Sequence, residues 1–359
     1  MSDQPRIKIT FDDLEKVEPL GGAASSAPAA AASAAAGEAP ASKYGNIAEV
    51  ASKSAAAHDE LPQRFYMQGW FYLGAAGLLG ATLAWAICEP AFEDIEGGER
   101  WGNLMIFPLV VMLICFGFGI AESIVERSPK KAAQRGGLAL LVGLVLGFVF
   151  NSVADVVYAI AVSFAFALGA DSFENPGLWV ARGIGWIFFG AAGGLVYGLV
   201  GASVKKGQYG VFGGVIGAGI GGMLFDPIAL ALDGAEVSRA VGFALFGAAT
   251  GVAIGFVESA LKDRWLHVSG GPLAGKQFIL YKPVTTVGSL QTCDIYLFKD
   301  KAILPDHATV ELRGGRTWLR AFGPVFVAGQ PKQEAILNHG DVIQIGRYAF
   351  FFQEKQRQD

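Results

Sequence analysis

Cysteine is nearly absent from this chain: Cys88, Cys115 and Cys293 are the only three in 359 residues. They are too few and too scattered for a disulfide framework or a thiolate metal site, and Cys88 and Cys115 read most simply as small apolar residues. Histidine is scarce as well, with four, and His58, His267 and His339 stand isolated. No nucleophile–base constellation or Walker loop is present. GxG patterns such as Gly217-Ala218-Gly219 lie inside apolar runs, not in the strand-to-helix setting that cradles phosphate. The chain therefore reads as a non-enzyme with no cofactor and no metal. An excess of positive charge is also missing. Lys and Arg total 28 against 32 Asp and Glu, a net charge of -4, whereas a nucleic-acid binder usually carries a basic patch. The first 60 residues hold no early apolar core, so no signal peptide is read.

What the chain has in abundance is apolar surface and glycine. It is 52% hydrophobic with 49 glycines, and its mean hydropathy is +0.41. Most glycines fall within long apolar runs, where glycine signals close helix packing in a bilayer. Residues 1–20 are charged, 21–42 form an Ala/Ser/Gly/Pro tract that reads as a linker, and Lys43 to Arg64 is a polar approach. Residues 1–64 are thus expected to be a cytoplasmic arm and linker. Six stretches follow that can each span about 30 Å of hydrocarbon: Tyr66–Cys88, Asn103–Val125, Gly136–Leu168, Leu178–Val204, Gly210–Leu232 and Ala240–Leu261. The third is too long for one straight span, so it is expected to tilt, to continue beyond the bilayer, or to break near Asn151–Asp155.

Loop charge gives the orientation. Arg127, Lys130, Lys131 and Arg135 lie between spans two and three, Lys205 and Lys206 between four and five, and Lys262 and Arg264 after six. The alternate loops carry Glu89, Glu93, Asp94, Glu96 and Glu99, then Asp171 and Glu174, then Asp233 and Glu236. The Lys/Arg bias places both termini in the cytoplasm of an inner (plasma) membrane protein, as does an even number of spans.

The spans repeat. Gly185-Trp-Ile-Phe-Phe-Gly190-Ala-Ala-Gly-Gly194-Leu-Val-Tyr-Gly198 parallels Gly242-Phe-Ala-Leu-Phe-Gly247-Ala-Ala-Thr-Gly251-Val-Ala-Ile-Gly255. Fainter matches link Gly119-Ile-Ala-Glu122-Ser123 with Gly255-Phe-Val-Glu258-Ser259, and Phe150-Asn151 with Phe225-Asp226. The unit reads as a two-helix hairpin in parallel repeat. Ladders 190/194/198 and 247/251/255 put glycine on one face, for packing within the chain or, alternatively, in a homo-oligomer. Intramembrane polar candidates are Asn151, Asp155 and Asp226, with Asp226-Pro227 read as a helix end. Glu122 and Glu258 are read as interfacial ion pairs with Arg127, Lys262 and Arg264. Membrane lipid is an expected partner.

From residue 264 the pattern changes to short alternating runs: 266–268, 277–281, 284–287, 294–297, 308–312, 317–321, 325–327, 342–345 and 348–353. Their spacing reads as a β-sandwich. Leu273-Ala274-Gly275-Lys276, Phe278-Ile279-Leu280, Val287-Gly288, Cys293-Asp294-Ile295-Tyr296-Leu297, His307-Ala308 and Asn338-His339-Gly340-Asp341-Val342-Ile343-Gln344-Ile345-Gly346 together resemble a forkhead-associated (FHA) domain. The resemblance implies an all-β sandwich over 264–359 that binds a cytoplasmic protein. In the family, an arginine after the first glycine and a serine three residues before the histidine bind phosphothreonine. Here those positions are Ser289 and Leu304, the latter followed by Pro305; the two Asn-Gly pairs correspond to Phe322-Gly323 and Ala328-Gly329; and His307 remains as loop support. Leucine cannot donate a hydrogen bond, and a lost arginine removes a bidentate phosphate contact. Docking without phosphothreonine is therefore expected, unless Ser289, Lys299, Lys301 or Arg313 supplies substitute contacts. Thr10-Phe11-Asp12-Asp13 on the arm reads as a solvated acidic tail or, alternatively, as a threonine target with an acidic residue at +3.

The fold class expected is thus a six-helix membrane bundle at 65–263 plus an FHA-like sandwich, acting as a scaffold for a cytoplasmic partner, phosphorylated or not, and not for nucleic acid. The alternatives are a small transporter or channel with a regulatory sandwich, and a sensor reading the acidic outer loops. Asp155→Asn and Asp226→Asn separate scaffold from transporter.

Overall fold

The computed structural model describes residues 64–93, 100–172, 174–232 and 234–355; the Thr10-Phe11-Asp12-Asp13 segment lies outside them. Among the described residues, six helices are long and apolar enough to cross a membrane: α1 (Gly69–Cys88), α2 (Trp101–Val125), α3 (Pro129–Ala167), α4 (Pro176–Val200), α5 (Val204–Ala231) and α6 (Ala235–Leu261). Local chemistry sets several of their ends. Pro129 and Pro176 open α3 and α4 at a position where a missing N–H costs nothing. Asn175 and Ser203 cap α4 and α5 through their side chains.

Two of the turns share one geometry. Arg127 and Ala202 both adopt left-handed φ, 53° and 48°, and the next serine N–H reaches back five residues, Ser128 to Ser123 O and Ser203 to Gly198 O. This is the 6→1 closure of a helix C-terminus, and it folds α2 onto α3 and α4 onto α5.

Each helix packs on its chain neighbours, and α1 closes the ring against α6. Glycine sets the closest approaches. A Cβ on Gly190 would lie 2.0 Å from Gly214 O, and one on Gly194 would lie 2.2 Å from the Gly210 carbonyl carbon. Ladder 247/251/255 meets α1 in the same way, at Gly77, Leu73 and Trp70. Both ladders are therefore consumed inside the chain. Phe118, Phe246, Leu73 and Ile254 fill the bundle interior.

Of the three outcomes left open for the third span, the break at Asn151–Asp155 does not occur: α3 is continuous for 39 residues, about 58 Å at ~1.5 Å per residue, in keeping with a span that tilts or continues beyond the bilayer. Asn151 Nδ2 donates to Asp155 Oδ2 one turn on (3.0 Å), while Asn151 Oδ1 is buried without a hydrogen-bond partner. Asp226-Pro227 is not a helix end either. Pro227 lies inside α5; it forfeits one backbone donor but does not stop a helix whose neighbours hold it.

After α6 only Lys262 and Asp263 intervene before β1 (Arg264–Gly270). The strands that follow are β2 (Gln277–Ile279), β3 (Val284–Gly288), β4 (Ile295–Tyr296), β5 (Ala308–Arg313), β6 (Arg316–Ala321), β7 (Val325–Val327), β8 (Gln330–Pro331), β9 (Glu334–Leu337), β10 (Val342–Ile345) and β11 (Tyr348–Glu354). They form two sheets, ordered β2-β1-β11-β10-β7-β8 and β4-β3-β5-β6-β9. Every pairing is antiparallel except β3 with β4. Alternation supplies the core between the sheets: Val310 and Leu319 from one, and Leu266, Val268, Ile343, Phe350 and Phe352 from the other. β8 and β9 were not expected, because short edge strands with one or no fully buried side chain leave little periodic signal.

Candidate docking loops and the bundle–sandwich junction

At one end of the sandwich, hydrogen bonds gather three loops around His307. Its ring is buried. Nδ1 accepts from Leu304 N (3.0 Å), which leaves the proton on Nε2 to be donated to Pro324 O (3.0 Å). Its backbone carbonyl accepts from Phe322 N and Gly323 N. Ser289 N and Leu290 N donate to Leu304 O and Pro305 O. Gly288 is required here, because a Cβ would sit 2.0 Å from Pro305 O. Ser289, Leu304, His307 and Phe322 are thus brought together.

Ala328 and Gly329 belong elsewhere. They form the β7–β8 turn with φ of 49° and 77°, and Ala328 N bonds Val342 O on β10. The turn is of the hairpin type that needs left-handed backbone at both positions.

The loop end is apolar. Leu290, Leu304 and Phe322 are exposed by 43%, 42% and 53%, in a region where a phosphate reader needs cationic donors. Arg320 lies 5.7 Å over the Phe322 ring. Arg313, one of the candidate substitutes, sits at the opposite end of the β5–β6 ladder and pairs with Glu311 and Glu334. Lys299 and Lys301 flank Asp300, which accepts from Arg347 N at the β10–β11 turn.

Beside this end, Asp294 ties the sandwich together and to the bundle. Its carboxylate accepts from Thr286 N and Oγ1 and from Lys282 Nζ (2.7 Å). Burial opposes its charge, but the Lys282 and Thr286 contacts together hold the carboxyl below its ordinary value. Its backbone oxygen accepts from Lys131 Nζ of α3 (3.2 Å). Gln291 Oε1 accepts from Lys130 N and from the Ser128 hydroxyl. Burial pushes the Cys293 thiol up to about 11, aided by its hydrogen bond to Asp306.

The sandwich caps the bundle through a buried polar network that the sequence did not reveal. Glu122 accepts from Arg135 (3.2 Å) and Lys206 (2.9 Å). Glu126 lies between Lys131 and Lys276, 3.4 Å from each. Glu258 accepts from the hydroxyls of Tyr197 and Tyr281. Burial and the nearby Glu258 carboxylate hold the Tyr281 hydroxyl protonated, well above its ordinary value. Glu122, Glu126, Arg135, Lys206, Glu258 and Tyr281 line a cavity of about 110 Å³. Arg127, Lys262 and Arg264 were the expected partners of Glu122 and Glu258, yet Arg127 lies over Phe298, Lys262 bonds Gln277 and Arg264 bonds Glu354. The partners found are Arg135, 13 residues from Glu122, and Lys206, 84 residues from it, with Tyr197 and Tyr281 lying 61 and 23 residues from Glu258. The findable signal was local: Ser128-Pro-Lys-Lys131 and Ser203-Val-Lys-Lys206 place a second lysine identically after each turn.

Of the polar candidates in the helices, Asn151 and Asp155 pair with each other, Asp155 on an exposed face of α3. Asp226 is buried and takes a bidentate contact from Arg182, 2.9 Å at both oxygens.

Residues 267–356 match the family described as the inner membrane component of T3SS, cytoplasmic domain. The chain is 34% identical over 90 residues to the glycogen accumulation regulator GarA of Mycolicibacterium smegmatis, covering 24% of this chain and 56% of that one. It is 33% identical over 95 residues to the oxoglutarate dehydrogenase inhibitor of Corynebacterium diphtheriae, covering 26% and 66%. The chain thus spans between about half and two thirds of the length of these relatives. Among solved structures it is similar to the FhaA FHA domain complexed with the intracellular domain of Rv3910, with 22% identity, coverage of 25% and 99%, and a TM-score of 0.23. It is also similar to the FHA domain of the CT664 protein from Chlamydia trachomatis, with 24% identity, coverage of 26% and 100%, and a TM-score of 0.24. The C-terminal part of this chain is an FHA-like domain, fused to a helical N-terminal region.

Proposed function

We propose that this chain is a membrane-anchored scaffold whose FHA-like sandwich docks a cytoplasmic protein without requiring phosphothreonine. The observation that carries the reading is the apolar loop end: Leu290, Leu304 and Phe322 stand exposed around His307. Burial of such side chains against a partner contributes about 25 cal/mol per Å², whereas a phosphate placed there would lose its water without gaining a bidentate cation. The membrane reading is supported by six apolar helices and by the Lys/Arg bias of alternate loops, which puts both termini in the cytoplasm. We also read the bundle as three two-helix units in a cycle, α2–α3, α4–α5 and α6–α1. On that reading the last glycine ladder finds its partner in the first helix.

A photo-crosslinking residue in place of Phe322, in the full chain in its membrane, tests the docking end. The same residue in place of Arg313 samples the opposite end. Capture of one protein at 322 only, undiminished by phosphatase, is the expected result. Loss of capture after phosphatase overturns phosphate independence, and equal capture at both ends overturns the docking assignment. The competing reading, a transporter with a regulatory sandwich, is favoured by one observation, the buried Arg182–Asp226 pair; it requires Asp226→Asn to abolish solute flux.

A further inference from the structure

Two ionic levels bracket the bundle. At the sandwich end, Glu122 of α2 accepts from Arg135 of α3 and Lys206 of α5. At the far end, Asp226 of α5 pairs with Arg182 of α4, whose guanidinium lies 5.5 Å over the ring of Tyr158, about one turn past Asp155 on α3. Arg135 to Asp155 and Lys206 to Asp226 are each twenty residues apart. That is about 30 Å at ~1.5 Å per residue, the thickness of a hydrocarbon core. Two helices give the same depth independently.

α5 stops five residues past Asp226, but α3 runs on for twelve past Asp155, about 18 Å. α4 starts beside it: a Cβ on Gly177 would lie 3.6 Å from the Ala165 Cβ. Ala165, Ala170 and Leu178 form a small core of their own, with Val162 packed against it. The α3–α4 hairpin therefore ends in a packed tip beyond the outer ionic level. The outside of that tip is apolar. Val156, Ile160, Phe164, Phe166 and Leu168 are each more than half exposed, and 156, 160 and 164 share one ridge at four-residue spacing. Within the hydrocarbon layer lipid covers such side chains; outside it, a patch of this kind marks an interaction site.

The charge of the tip has one sign. No lysine or arginine occurs between Arg135 and Arg182. Asp155 stands at the base of the ridge and Asp171 and Glu174 lie beyond its end, all three exposed. Glu89, Glu93 and Asp226, at the same end of the bundle, pair with arginines; Asp155 is met by the neutral amide of Asn151. A second copy related by an axis along the membrane normal would set these acids against their own counterparts, so the tip is not self-complementary.

We propose that this tip docks a protein of the compartment across the membrane from the sandwich, which receives the 156/160/164 ridge in an apolar groove with basic residues at its rims. The mode is that of a helix laid in a groove and anchored at regular spacing, with the rim charges steering the approach. The proposal rests on the membrane reading above and is independent of the docking loops.

The test has two stages. Single cysteines replace Phe164 or Val145 in the full chain, purified in nanodiscs; the native Cys88, Cys115 and Cys293 are buried. Val145 is an exposed position of α3 between the two ionic levels. A membrane-impermeant maleimide should label Phe164→Cys and spare Val145→Cys. Labelling of Val145→Cys overturns the membrane reading itself, whereas protection of both positions leaves that reading intact and overturns the tip. A photo-crosslinking residue in place of Phe164, in the full chain in its own membrane, then identifies the occupant. Mass spectrometry of the adduct should find a different protein, joined at an apolar site flanked by lysine or arginine. The yield should fall about tenfold or more in Asp171→Lys/Glu174→Lys, two exposed substitutions outside the small tip core. An adduct with a second copy of the chain, no protein adduct, or a yield indifferent to the charge reversal overturns the proposal.

Discussion

At the scale of single residues, His307 organises the loop end of the sandwich without being exposed. One ring nitrogen accepts from Leu304 N and the other donates to Pro324 O. Replacing it with alanine strands both backbone groups, at a cost of about 1–3 kcal/mol for each one left buried without a partner. Hydrogen exchange by mass spectrometry should show lost protection at residues 304–307 and 322–324, with β9–β11 unchanged. Asp294 offers a pH test. Its folded-state carboxyl lies below the ordinary value, so the stability it contributes is fully present above about pH 4, the unfolded value. That stability is lost as pH falls through the lower folded value. Asp294→Asn should therefore flatten the acid limb of sandwich unfolding; an unchanged acid limb would remove Asp294 as its source. The presence of both residues was legible in the sequence, as part of the FHA resemblance. The Lys131 contact was not, because it joins residues far apart in the chain.

At the scale of elements, glycine spacing foretold close packing but not its partners. The ladder 190/194/198 lies against Gly214, Gly210 and Gly207 of α5, and 247/251/255 against α1. A repeat in one helix says nothing about which neighbour receives it. Gly190→Ala would force a Cβ to within 2.0 Å of Gly214 O, so the helices must separate, at a cost of about 1–3 kcal/mol of overpacking. Gly137 in α3 is the control, since a Cβ there meets nothing within 4 Å. Gly137→Ala should be neutral or stabilising by up to ~1 kcal/mol from helix propensity alone. Thermal unfolding of the two variants in one detergent checks both; equal melting shifts would mean that the ladder is not a tight contact. Helix continuity was the least legible property. Pro227 and the Asn151–Asp155 pair look like breaks, yet an i,i+4 hydrogen bond and the packing around Asp226 carry both helices through.

For the whole molecule, the decisive feature is the junction that fixes the sandwich on the bundle. Only Lys262 and Asp263 separate α6 from β1, so the sandwich cannot travel far; the ionic network then selects one orientation. Glu122, Glu126 and Glu258 stand with Lys131, Arg135, Lys206 and Lys276, drawn from α2, α3, α5, α6 and the sandwich. Lys131, Lys206, Lys276, Glu126 and Glu258 are buried, and buried pairs are screened far less than surface ones, whose reach falls to ~3 Å at 1 M salt. Gln291 and Asp294, beside the loop end, touch Ser128, Lys130 and Lys131 at the α2–α3 turn. Cysteines at Lys130 and Gln291, joined by a short bifunctional reagent, report that contact. The crosslink should form in high yield in the full chain, and the yield should be the same in dilute buffer and at about 1 M salt. In Glu126→Gln, where Lys276 and Lys131 lose their common carboxylate, the yield should drop, because removing one partner leaves buried charge uncompensated at a cost of about 3–5 kcal/mol. A yield that falls steeply with salt in the parent chain would mean that the sandwich is held by surface charge and swings free of the bundle.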